Sequence, residues 1–285
     1  MNTCLSDNAV TNTSLGGHLR IECSARPDGT PVISKQDFRV PVHIGKGHIN
    51  QGVMVLNIAN PTAGFFDGDH VDIDVDVKPG ARLCLSTPAA SRVFRTRSGR
   101  PAMVRQHFHV GDKARLEWNP EPFIPHAGAC YHQQTTIDLD AGASVFFLEW
   151  IAPGRTAMGE VFLYQNLRWE LDLHQSGRLI ARERYDLNPR NHSLEALRAR
   201  FPAAYYLSLF AAGDFARRWP DEALDALNNE HVYLGHGPLN GGARVVRALC
   251  ADSVSARSLA ATLRTILHQS AGLAAPALGR MPHAT

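Results

Sequence analysis

The chain has 285 residues, 44% hydrophobic and 20% charged, enough apolar material for one large core or two small ones and inconsistent with wholesale disorder. A formal net charge of +2 removes any general electrostatic case for nucleic-acid binding. Five scattered cysteines (Cys4, Cys23, Cys84, Cys130, Cys250), odd in number and without a C-x-x-C pair, fit reduced thiols and a cytoplasmic location rather than a disulfide framework or a closed zinc site. The N-terminal MNTCLSDNAVTNTSLGGH lacks the basic and apolar regions of an export signal. The longest uncharged run, Phe201 to Gly213, is too short to span a bilayer, so neither export nor membrane anchoring is expected.

In chain order the first long signal is Val71-Asp-Ile-Asp-Val-Asp-Val77, an unbroken alternation that predicts a strand with one wet face. Lys78-Pro-Gly80 turns it into a second strand, Ala81 to Thr87, and the two are expected to pair as a hairpin. Further strands are predicted over Met103 to Val110, Ala114 to Trp118, Gln134 to Leu139, Ser144 to Ile151, Glu160 to Leu173 and Arg178 to Leu187, divided by turn pieces such as Val110-Gly-Asp112 and Asp140-Ala-Gly142. From Asn188 the texture changes. Helix formers run from Ser193 to Gly213, interrupted by Pro202, and Pro220-Asp-Glu222 opens a second helix. Ala243 to Cys250 reads as one more strand, and Leu259, Leu263, Ile266 and Leu267 form an apolar helical stripe. The expected fold is mainly β: a meandering β-strand domain over residues 1–187, with a C-terminal helical appendage containing one further strand over residues 188–285 and packed on the same domain.

No G-x-x-x-x-G-K-[ST], G-x-S-x-G, H-E-x-x-H or G-x-G-x-x-G motif occurs, which weakens nucleotide hydrolase, serine hydrolase, zincin and dinucleotide readings. His107 and His109 share a strand face, as do Cys130 and His132 if that segment is extended. These four are compatible with a borderline metal site, although paired surface histidines on a strand are commoner than ligand sets. Asp72, Asp74 and Asp76 read as a solvated face or a cation site.

Three other carboxylates have an unusual parity. Glu149 alternates with Val145, Phe147 and Ile151, while the opposite face of its strand (Phe146, Leu148, Trp150) is apolar too. Glu183 shares a face with Leu179, Ala181 and Tyr185, and Asp69, if its strand extends back past His70, with Val71, Ile73 and Val75. A buried carboxylate requires protonation, hydrogen bonds or a cation. Either internal salt bridges to Arg92, Arg155 or Arg184, or a polar path through an apolar β-core, would satisfy that requirement.

The blocks Gly68-Asp69, Lys78-Pro-Gly-Ala81, Thr87-Pro-Ala-Ala-Ser-Arg-Val-Phe-Arg95, Ala114-Arg-Leu-Glu-Trp118, Pro120-Glu-Pro-Phe-Ile-Pro125, Glu149-Trp150, Gly154-Arg155, Gly159-Glu160 and Arg182-Glu183-Arg184 closely resemble the urease accessory protein UreD (UreH) family over about Ile33 to Leu187. Where members often end in Pro-Arg-Ile-Trp, this chain has Gly279-Arg-Met-Pro282. The resemblance implies a β-strand superhelix with C-terminal helices, and a chaperone for nickel insertion rather than an enzyme. Its implied partners are UreF, the GTPase UreG and apo-urease, and no prosthetic group is implied, with nickel bound only in transit. Asp69, Glu149 and Glu183 match the acidic positions of a nickel passage proposed in that family. Arg155 and Glu160 are expected to fix the turn after Glu149, and Arg92 and Arg95 to position partner or internal carboxylates by fork geometry. The large apolar groups from Phe201 to Phe215 exceed what one short helix hides against a sheet, so Tyr206 and Phe210 are expected to face a partner. Two rivals stand beside this reading: an all-β metal-dependent enzyme using His107, His109, Cys130 and His132, and a purely structural bridge without a metal path.

Overall fold

A computed structural model describes residues 14–60, 62–191 and 194–278. Eighteen strands and three α-helices occur among them. The first eight strands are β1 (Gly16–Ala25), β2 (Pro31–Arg39), β3 (His43–Ile44), β4 (His48–Asn50), β5 (Val53–Ala59), β6 (His70–Val77), β7 (Arg82–Ser86) and β8 (Ser91–Val93). Then come β9 (Ala102–Val110), β10 (Arg115–Asn119), β11 (Phe123–Pro125), β12 (Cys130–Leu139), β13 (Ser144–Ile151), β14 (Asn166–Gln175) and β15 (Arg178–Leu187). The C-terminal part holds α1 (Glu195–Arg200), β16 (Tyr205–Ala212), α2 (Asp221–Asp225), β17 (Val232–Pro238), β18 (Arg244–Cys250) and α3 (Ser253–Ser270).

The chain winds as a superhelix between two sheets, so β6 and β7 fall in different sheets and the hairpin expected across Lys78-Pro-Gly80 is not formed: the turn carries the chain from one layer to the other. One has seven strands in the order β15-β14-β12-β9-β6-β1-β2, and the other has eleven, with β17-β18-β16-β13-β10-β7-β5-β3 as its main path. Successive coils place like strands side by side in parallel, so β6, β9, β12 and β14 run in one register, and β5, β7, β10 and β13 in another. The turns stack at one end of the coil. Gly80 N donates to Asp112 O, Gly111 N to Val77 O and Asp140 N to Val110 O. Gly111 must be small, since a Cβ there would lie 2.8 Å from Pro79 N.

Period-two alternation explains the layers. Val71, Ile73, Val75 and Val77 point inward and are nearly inaccessible, and they meet Leu83, Leu85, Leu116 and Phe147 of the second sheet in one core. The outer face of the first sheet carries the charges. Asp76 meets Lys78 and His109, Asp138 meets His107 and His174, and Asp74 lies 3.8 Å from Arg20.

The C-terminal part departs from expectation. The helix expected from Ser193 to Gly213 is the short α1 followed by the strand β16, and residues 188–278 contribute three strands rather than one. β16 lies between β13 and β18, with the first sheet on one face and α3 on the other, so both of its faces are apolar, as in a buried helix. This removes the expected apolar surplus. Phe210 is 1% exposed inside the core and Leu207 and Leu209 are inaccessible, so Phe210 offers no side chain to a partner. Tyr206 is half-buried and faces inward, as described below.

The third layer is α3, capped by Asp252 through a reciprocal capping box with Ser255. It sets Ala256, Leu259, Leu263 and Leu267 on Phe146, Leu148, Trp150 and Val246 of the second sheet. Beneath it Glu117 is 4% exposed, ion-paired with Arg264 and 3.1 Å from His268 Nε2, which holds its carboxyl below the usual range against the opposing effect of burial. Removing one partner of such a pair strands a buried charge. Arg264→Ala is therefore expected to lower stability by about 3–5 kcal/mol in urea unfolding, with most of the loss recovered in the charge-free Glu117→Gln, Arg264→Met double variant.

Candidate functional site

The two sheets bring a set of polar side chains face to face inside an otherwise apolar core. In the first sheet one inward row runs Ile73, Gln106, Thr135, Leu171, Glu183 and the next runs Val71, Val104, Gln133, Trp169, Tyr185. In the second sheet Glu149, Ser208 and Arg247 stand in register on β13, β16 and β18, between the rows Phe147–Phe210–Val245 and Ile151–Tyr206–Leu249. The polar residues thus form a transverse seam, positioned by strand register alone.

Glu149 is 8% exposed, and both of its oxygens are occupied. Gln133 Nε2 donates to Oε1 at 2.6 Å and Trp169 Nε1 to Oε2 at 2.8 Å. Gln133 in turn accepts from Tyr131 Oη at 2.9 Å and donates to Thr135 Oγ1 at 3.2 Å, and Thr135 reaches Gln106 at 3.4 Å. Burial pushes the Glu149 carboxyl up to about 8; the two neutral donors oppose the rise, and the nearby Glu183 charge adds to it.

Glu183 lies one step along the seam. Its Oε1 is 2.6 Å from Arg247 Nη2 and 3.5 Å from Tyr206 Oη, and its Oε2 accepts from Ser208 Oγ at 3.1 Å. Burial raises its carboxyl while Arg247 and the hydroxyls pull it back. Tyr185 and Tyr206 share a hydrogen bond of 2.5 Å beside it. A cavity of about 80 Å³, several times the ~10–15 Å³ that one water occupies, is lined by Gln106, Gln133, Glu149 and Trp169 and reaches Asn60, Thr87, Ser91 and Glu121.

The structure therefore brings Glu149 and Glu183 together but not Asp69. Asp69 is 2% exposed, yet it precedes β6, does not line the cavity, and accepts from the backbone N–H groups of Leu15 and Phe66, each at 2.8 Å, so it ties two loops. Arg155 forms a two-point pair with Glu160, whose Oε2 also accepts from Ala127 N, closing the turn after Glu149. Gly154, at φ +146°, is required there because a Cβ would collide with the Glu160 carbonyl. Arg92, on β8, and Arg95, just after it, are exposed, and neither pairs with a carboxylate among the described residues, so the internal role expected for them is not formed. The salt bridges weighed for the buried acids are not made by Arg92, Arg155 or Arg184 either. Arg184 turns outward to Asp172 at 2.9 Å, and the partner of Glu183 is Arg247.

The four residues of the metal-enzyme alternative do not converge. His107 and His109 lie on the outer sheet face against Asp138 and Asp76, His132 is 3.5 Å from Glu170, and Cys130 is buried with its N–H directed to Thr96. Among the described residues no group of three or more His, Cys, Asp or Glu is arranged to hold a metal ion. Cys23, Cys84, Cys130 and Cys250 are buried and free, whereas Cys4 and the Gly279 to Pro282 segment lie outside the described residues. No described helix is long and apolar enough to cross a membrane.

Gln106, Gln133, Thr135, Ser208 and Arg247 were not singled out from the sequence. Each occupies an inward parity on its strand, so the test applied to the acids, extended to neutral side chains and arginine, would have found them once β16 was read as a strand.

A family model described as UreD urease accessory protein matches residues 16–282. The chain belongs to the UreD family. Among relatives named urease accessory protein UreD, that of Opitutus terrae is 32% identical over 259 residues, covering 89% of this chain and 94% of its own. The relative from Deinococcus radiodurans is 34% identical over 197 residues, covering 64% of this chain and 68% of its own. A third UreD, from Thermosynechococcus vestitus, is 38% identical over 120 residues, 42% of this chain and 43% of its own. The membership expected from the Thr87 to Arg95 and Glu117 to Pro125 blocks thus holds beyond Leu187, into the strands and helix of the C-terminal part.

In this UreD chain the folded-state value of Glu149 lies above the 4.5 of a free glutamate, so folding takes up a proton between the two. The associated stability is complete below about pH 4.5 and is lost as pH rises to about 8, on the order of a few kcal/mol in all. Glu149→Gln is expected to flatten this slope. Urea midpoints at about pH 5.5, 7 and 8.5 check it, and equal slopes in both proteins would mean that Glu149 ionises normally.

Proposed function

We propose that this chain is a maturation factor for urease that lets nickel pass through its β-core, acting with UreF and UreG on apo-urease in the cytoplasm and without catalytic turnover of its own. Family membership supports the link to urease, through relatives that bear the name urease accessory protein. The observation that carries the passage is the seam itself: two buried carboxylates, one beside a cavity large enough for water, held by neutral donors, a hydroxyl and one guanidinium. Such a set suits a cargo ion. Carboxylate and water hold a divalent first-row metal weakly enough to release it, whereas a thiolate set would retain it. The chain's own residues would supply the path: Gln133 and Trp169 orient the Glu149 carboxylate, and Ser208 orients that of Glu183.

Glu149→Gln together with Glu183→Gln preserves shape while removing charge and ligand strength. When coexpressed with urease and its accessory proteins, the double variant is expected to lower urease nickel content and activity roughly tenfold, the scale on which metal sites respond to loss of a supporting group, while UreF remains bound. Full nickel loading would return the chain to a structural bridge. Arg92 and Arg95 stand exposed and unpaired among the described residues, free to meet carboxylates of a docked partner. Alanine at both is expected to reduce urease activation without shifting the chain's urea midpoint, and lysine is not expected to restore it, because two-point pairing needs the planar fork. Recovery by lysine would show that charge alone is required.

A further inference from the structure

Arg247 is held on three sides by three different strands. Its Nη2 lies 2.6 Å from Glu183 of β15, its Nη1 donates to Val246 O of β18 at 3.1 Å, and its guanidinium carbon stands 4.6 Å from the centre of the Phe210 ring of β16. The Arg247 side chain is 31% exposed and that of Glu183 is 10%, so the arginine is the more solvent-accessible partner of a pair whose acid also meets Tyr206. No other cation lies within ion-pair reach of Glu183 among the described residues. Arg247 also shares its cross-strand row with Ser208 and Glu149, so the same row carries an acid at one end and a base at the other.

We propose that Arg247 is the resident cation of the seam, neutralising Glu183 until a divalent ion drawn to the Glu149 and Glu183 pair displaces it, and that it thereby decides which ions enter at this end. The chemistry follows from charge. A guanidinium satisfies one carboxylate with one unit of charge and directed N–H bonds. A monovalent ion offers no more charge and no directed bonds, so it does not compete, whereas a divalent ion answers both acids at once. The exchange needs only rotation of the Arg247 side chain toward solvent and no opening of the strand ladder.

This inference rests on the passage reading, and its test is separate from urease activation. Nickel(II) binding to the purified full-length chain is measured by equilibrium dialysis, with parent and variants at one pH. Arg247→Met keeps the stem over Phe210 and removes the competitor. It is expected to bind nickel about tenfold more tightly than the parent chain, with Arg247→Lys close to the parent and Arg247→Met with Glu183→Gln losing the gain. Should Arg247→Met not fold, Arg247→Gln, which keeps a donor for Glu183 without the charge, is read in its place with the same expectation. Equal affinity in the folded neutral variant and the parent, or a gain that persists without Glu183, overturns the role of Arg247. If that result accompanies a loss of urease loading in the Glu149→Gln, Glu183→Gln chain, the passage stands and only the gate is refuted.

Discussion

A carboxylate in the shared core of two sheets is the constraint around which the rest of this structure is arranged. Glu149 has no wet side: β13 is covered by the first sheet on one face and by α3 on the other. Its solvation must therefore come from neighbouring strands. It comes from Gln133 and Trp169 across the core, with Ser208 and Arg247 following in the same cross-strand row. Parallel stacking makes this possible, because equal register carries a polar position from coil to coil at a constant height. A slip of one residue in any of these strands would send its polar group to the opposite face and leave the carboxylate without a donor.

Glu117 shows what a structural acid looks like in the same sheet. It is at least as buried as Glu149, yet it faces the other way, under α3, where Arg264 and His268 hold it ionised. Glu149 meets only neutral donors, and burial prevails. Two glutamates on neighbouring strands are thus driven in opposite directions by whether a cation stands beside them. The pair at Glu117 fastens a helix to a sheet, while the acid at Glu149, with no cation beside it, lines a cavity.

Much of this was legible in the sequence because it depends on period two. The alternation of Val71 to Val77 specifies a half-wet strand, and the same parity places Glu149 and Glu183 inward, where both are found. Parity failed where its premises did. Asp69 lies outside β6, in a loop whose backbone N–H groups occupy it, so continuing the strand back past His70 misplaced its function. Tyr205 to Ala212 is apolar on both faces, and without alternation it resembled a helix. The partners of the acids were illegible for a different reason. Gln133 and Glu149 are close in sequence, but Arg247 comes from two strands further across the sheet and is paired with Glu183 only through the tertiary arrangement.

The composition of the seam also bears on why an accessory protein would carry metal in this way. A stable site closes its ligands around the ion and gains from every donor, which makes release slow. Here the oxygens of Glu149 and Glu183 are already engaged by Gln133, Trp169, Ser208 and Arg247, so on the passage we propose an arriving ion would displace bonds that the chain re-forms once the ion leaves. The net gain on binding is the difference between two satisfied states, not the full strength of either. None of the four described cysteines, which would give a deep trap, lines the cavity: Cys84 packs with Val53, Val55 and Leu278, and Cys250 lies in the apolar layer under α3, so the donors that the cavity offers are oxygen and nitrogen.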